Sequence, residues 1–80
     1  MYAVEFDPPA EKQRDELPFE ALAAFMELRA VLEVAPWSGR RPSNNPRGNM
    51  LSMPFGETGL VTYLVMEERR LVYIVRITWV

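Results

Sequence analysis

The last thirty residues constrain the fold most. Met50–Phe55, Leu60–Met66 and Leu71–Val80 are three apolar runs, separated only by Gly56-Glu57-Thr58-Gly59 and Glu67-Glu68-Arg69-Arg70. Strand-forming runs joined by turns this short predict neighbouring antiparallel strands. Pro54 places the first of them at an edge, or marks its end, because proline cannot donate to a ladder. In the middle strand Val61, Tyr63 and Val65 share one face, and Leu60, Thr62, Leu64 and Met66 the other. In the last, Val72, Ile74, Arg76 and Thr78 oppose Tyr73, Val75, Ile77 and Trp79. Both faces are apolar, so one is expected to pack on helices and the other to meet a partner or a covering loop.

The first half supplies those helices. Tyr2, Val4 and Phe6 alternate with Ala3 and Glu5, the period of a strand with one buried face. Asp7-Pro8-Pro9 reads as a helix start, with the aspartate as cap and proline in the first turn, where a missing N–H costs nothing. The helix runs to about Glu16, with Ala10, Gln13 or Arg14, and Leu17 turned inward. Pro18 breaks the pattern, and a second helix follows to about Glu33. Leu22, Phe25, Met26, Arg29 and Leu32 form its expected stripe, widened by Ala21, Ala23, Ala24, Leu28, Ala30 and Val31 and read as core. The expected fold is α+β, in the order β-α-α-β-β-β, with two N-terminal helices packed on an antiparallel sheet in a single domain 1–80. At 80 residues a second domain is excluded and the core must be small.

Between the halves lies Ala35–Asn49, with three prolines, two glycines, three arginines and no acid. It reads as a long loop, a place where function concentrates. The charge is uneven. Met1–Glu33 carries eight acids against three bases, a net of −5, while Val34–Val80 carries three acids against six bases, a net of +3. Acids suit the first turns of helices, which accounts for part of this gradient; an anion-facing second half is the competing account. Trp37, Arg40, Arg41, Arg47 and Arg76 are the candidate nucleic-acid contacts, with Trp37 as a stacking surface. Arg76 interrupts an apolar strand and must reach solvent or pair with a carboxylate, with an ion pair expected first and a phosphate contact second. Tyr63, turned inward, reads as core.

Histidine and cysteine are both absent. Thiol chemistry, imidazole catalysis and the commonest metal ligands go with them, so no cofactor and no metal are expected. No apolar run approaches the ~20 residues that cross a bilayer. The acidic opening is unlike a secretion leader, and a cytoplasmic protein is expected.

Several segments together resemble the RelE/ParE toxins of toxin-antitoxin systems. Tyr2-Ala3-Val4-Glu5-Phe6-Asp7-Pro8-Pro9-Ala10 resembles that family's first strand entering its helix. Glu33–Trp37 resembles the start of its loop, Gly59–Val65 the segment in which an arginine and two aliphatics precede a tyrosine, and Leu71–Thr78 its last core strand. The resemblance implies an antitoxin as protein partner and RNA, or the ribosome, as target. It also implies basic residues on the meander and a tyrosine near the C-terminus, which hold the scissile phosphate in the nuclease members. Here Leu60 stands where arginine is usual, Ser52 and Met53 where lysines are, and the sequence ends at Val80, before the usual basic and aromatic residues. No catalytic residues are therefore assigned. A RelE/ParE-like toxin, or an orphan that has lost activity, bound by a protein partner or RNA, is the first expectation; a non-catalytic interaction module or homodimer, pairing through an apolar sheet face or an edge strand, is the alternative.

Overall fold

The computed structural model describes all 80 residues, Met1–Val80. The elements are β1 (Ala3–Phe6), α1 (Pro8–Asp15), α2 (Phe19–Val34), β2 (Met50–Phe55), β3 (Gly59–Met66) and β4 (Leu71–Thr78). β2, β3 and β4 form the expected antiparallel meander. β1 joins the far side of β4 in parallel, so the sheet order is β1-β4-β3-β2 and the sheet is mixed rather than wholly antiparallel. A parallel partner requires a long crossover, and the helices with the first two meander strands provide it.

At the start of α1 the expected aspartate cap is absent. Asp7 is extended, with φ −64° and ψ 145°, and its side chain caps nothing. Pro8 and Pro9 have removed two of the donors it would have served, and Asp7 Oδ1 instead accepts from the Tyr73 hydroxyl at 2.6 Å. Ala10 is buried as expected, while Gln13 Oε1 accepts the Ile77 backbone N–H at 2.7 Å. In α2 the buried stripe is Ala21, Phe25, Leu28 and Leu32, whereas Leu22 is 37% and Met26 52% exposed. Phe25 and Leu32 of the expected stripe are core, but its centre is turned toward the flanking Ala21 and Leu28, away from Leu22 and Met26. This helix is apolar on nearly every side, so periodicity alone did not select the face that meets the sheet.

One irregularity in β4 orients the functional face. Thr62 pairs with Arg76 but Tyr63 with Ile74, leaving Val75 as an extra residue. Such a bulge reverses the alternation beyond it. Ile77 therefore joins Val72 and Ile74 in the core, and Trp79 packs on Phe55 with ring centroids 5.6 Å apart. Arg76 and Thr78 face solvent instead. This corrects the simple alternation expected for the strand, and Arg76 makes none of the salt bridges in the molecule.

Candidate anion-binding face

With α1 and α2 both on one side, the opposite face of the sheet is left uncovered. Register places Arg76 of β4 beside Thr62 of β3, Thr62 beside Ser52 of β2, and Ser52 beside Arg40 of the loop. Residues directly paired across a sheet point the same way, so these four form one row. Three strand spacings of about 4.8 Å make it roughly 14 Å long. Two guanidiniums thus flank two hydroxyls, and both arginines are exposed. A shallow hollow of about 220 Å³ lies at the loop end, lined by Arg40, Arg41, Met50, Ser52 and Thr62 among others. The neighbouring row is Glu5, Tyr73, Leu64 and Met50, an apolar strip beside the cationic one that ends in a carboxylate at the β1 edge.

The loop arginine is held in register by a chain of anchors. Arg40 exchanges both backbone hydrogen bonds with Ser52, each 2.8 Å. One residue earlier, Gly39 lies flush against the Tyr63 hydroxyl, with no room there for a Cβ. The Tyr63 hydroxyl, fully buried, donates to Pro36 O at 2.7 Å, and burial pushes its pKa up to about 12. Trp37 donates its indole Nε1–H to Glu67 Oε1 at 2.7 Å, and Tyr2 donates its hydroxyl to the same oxygen at 2.5 Å. Those two bonds, Trp37 first, hold the Glu67 carboxyl below its ordinary range. The Arg41 guanidinium lies 5.3 Å from the Trp37 ring centre, and its Nε donates to Gly48 O at 2.9 Å.

Of the five residues singled out in the sequence, Arg40 and Arg76 come together in the row. Arg41 lines the hollow at the row's loop end and stacks on Trp37, whose indole is turned away to Glu67. Arg47 is exposed in the loop, outside the row. Thr62 and Ser52 were not foreseen as part of the site, since only the pairing register brings them between the arginines. Glu67 was read as turn residue, and nothing local marks it as the acceptor for two aromatic donors from distant segments. Chemically, the row offers permanent cations and hydroxyl donors, the groups that bind phosphate oxygens. It contains no side chain that exchanges a proton near neutral pH. Tyr73, the nearest phenol, is tied to Asp7, and that hydrogen bond raises its pKa. No three carboxylates are grouped to hold a metal ion, and no helix is long and apolar enough to cross a membrane.

Two helices on one face of a β1-β4-β3-β2 mixed sheet, with the other face open, define a small class of α+β protein. The fold is that of the RelE toxins, which the chain resembles in structure. A chain of the intact E. coli RelBE toxin-antitoxin complex superposes with a TM-score of 0.84 at 13% identity, covering 100% of this chain and 98% of that one. The isolated E. coli RelE toxin gives 0.80 at 16% identity, over 96% and 82%. The RelBE2 toxin-antitoxin complex of Mycobacterium tuberculosis gives 0.78 at 26% identity, over 95% and 94%. By sequence, no protein-family model and no curated protein matches. The expected resemblance in fold is therefore borne out, with the mixed sheet as its one refinement. Leu60, where the resemblance expects arginine, is 42% exposed on the open face.

Proposed function

We propose that this chain is the toxin-like member of a toxin-antitoxin pair, that its open sheet face binds single-stranded RNA without cleaving it, and that a partner protein holds it. The observation that carries the RNA reading is the Arg76–Thr62–Ser52–Arg40 row. It lays two cations and two hydroxyls across the sheet for phosphate oxygens, with the Tyr73–Leu64–Met50 strip alongside for bases. Cleavage of a phosphodiester needs a proton removed from the nucleophile and another delivered to the leaving oxygen. Arginine and hydroxyl side chains do neither near neutral pH, and Leu60 adds no charge to stabilise the transition state. Support for the partner comes from the RelE neighbours, which include complexes with RelB antitoxins from E. coli, M. tuberculosis and Pyrococcus horikoshii.

The test is a fluorescence-anisotropy titration with a labelled ~12-nucleotide single-stranded RNA at several salt concentrations, with the RNA then run on a denaturing gel. Binding that weakens with salt at a log–log slope of about −1.5 to −3, for two to four phosphate contacts, and intact RNA are expected. Absence of binding at low salt sinks the RNA reading, and cut RNA sinks the non-cleaving one. Sedimentation with ribosomes extends the same test to RNA in that setting.

A second reading has its own observation. Met50 and Leu60 are exposed on the same open face, with Leu64 and Met66 half-buried beside them. A homodimer closing those faces would hide the row, and light scattering at high concentration decides between the two. A monomer favours RNA.

A further inference from the structure

On the helical side, α2 packs on β2 through Phe25 and Phe55, whose ring centres are 5.7 Å apart, and a groove opens beside that contact. A cavity of about 250 Å³ there is lined by Leu28, Val31, Met53 and Phe55. Ala24 and Gly56 line both this cavity and a second of about 460 Å³, bounded by Glu20, Glu57, Thr58 and Trp79. The two make one groove following α2 from Glu20 to Val31, about 16 Å or three helical turns. Its floor is apolar and its rim acidic. Glu20, Glu27 and Glu57 line it, and no lysine or arginine does.

The adjoining edge cannot take an added strand. β2 is the last strand of the sheet, but Ser52 has given both of its outward backbone groups to Arg40, and Pro54 has no N–H to offer. Strand addition needs a free run of such groups. What the groove offers is side-chain contact alone, which suits a helix, because a helix satisfies its own backbone and presents apolar residues at i, i+3, i+4 and i+7. The rim decides the flanking charge: lysine or arginine beside that stripe would meet carboxylates, whereas acids would be repelled. At one end Trp79, stacked on Phe55, lines the groove together with Glu20 and Glu57, an aromatic ring and two carboxylates that suit a cationic side chain.

We infer that this groove docks a basic amphipathic helix of a partner protein. The inference rests on the partner reading above and gives that partner a place, on the side of the sheet opposite the arginine row. A chain held there keeps its RNA face open.

The probe is a helical peptide of about 14 residues, with leucines at i, i+3, i+4 and i+7 and lysines flanking them. It is titrated into the ¹⁵N-labelled full chain and compared with a version carrying glutamates for the lysines. Shifts centred on Ala24, Leu28, Gly56 and the Trp79 indole are expected for the lysine peptide, weakening as salt rises, and none for the glutamate peptide. The double variant Glu20→Lys/Glu57→Lys should bind the lysine peptide about tenfold or more weakly. Glu11→Lys/Glu68→Lys, an equal charge change at exposed positions away from the groove, should stay within about twofold. Shifts centred elsewhere, or equal losses in both double variants, overturn the groove while leaving a partner reading in place. Binding of neither peptide anywhere overturns both. RNA affinity is read on separate variants and is independent of either result.

Discussion

Glu67 and Tyr63 do at the scale of single side chains what no periodicity announces. Glu67 joins Tyr2 from the chain start and Trp37 from the loop, and its pKa is depressed in the folded state. The unfolded chain then binds more protons as pH falls below the ordinary glutamate value, so the stability this group contributes is present above that value and lost below it. Acid unfolding followed by circular dichroism should show this limb, and Glu67→Gln should flatten it; an unchanged pH profile would contradict the clamp. At the alkaline end the sign reverses. Tyr63 and Tyr73 both have raised pKa values, so the stability they contribute is intact below about pH 10 and declines as pH climbs through their folded values, about 12 for Tyr63. Beside Tyr63, a methyl group at Gly39 would overlap the phenol and come within 2.8 Å of Ser52 O. Gly39→Ala is expected to cost about 1–3 kcal/mol in urea unfolding and to weaken RNA binding by displacing Arg40. A neutral result would mean that the loop is not anchored there.

Elements were legible in the sequence wherever one face differs clearly from the other, and obscure where both are apolar. β1, the split of the helices at Pro18, and the three-stranded meander all follow from alternation, proline and short polar turns. The face of α2 does not follow, because Leu22, Met26 and Val31 are as apolar as Ala21, Phe25 and Leu28. Phe25→Ala should therefore cost about 3–5 kcal/mol, by opening a cavity in the core, whereas Met26→Ala, at a site 52% exposed, should cost less than about 1 kcal/mol. Equal costs would restore the stripe expected from the sequence. The bulge at Val75 was equally unreadable, since no glycine marks it. Its consequence decides the site: a regular strand would have sent Arg76 into the core beside Ile74, and the bulge turns it to the open face. Thr62 and Ser52 entered the site for the same reason, through register rather than residue type.

At the scale of the whole molecule, the layered fold separates two surfaces of opposite charge. The acid-rimmed groove lies on the helical side, beside β2, and Arg40 and Arg76 lie on the bare face of the sheet, whose β1 edge carries Glu5. The residues expected to contact nucleic acid were chosen from a loop and an odd strand position, and two of them, Arg40 and Arg76, meet across β2 and β3 without being near in sequence. The measurement that bears most directly on the account is the salt dependence of RNA affinity for the parent chain against Arg40→Ala/Arg76→Ala. If the row grips phosphates, the parent's slope is steeper by about 1.4, roughly 0.7 for each arginine removed, and the RNA stays whole throughout. Identical slopes for the two proteins, or RNA fragments released by the parent alone, would contradict it.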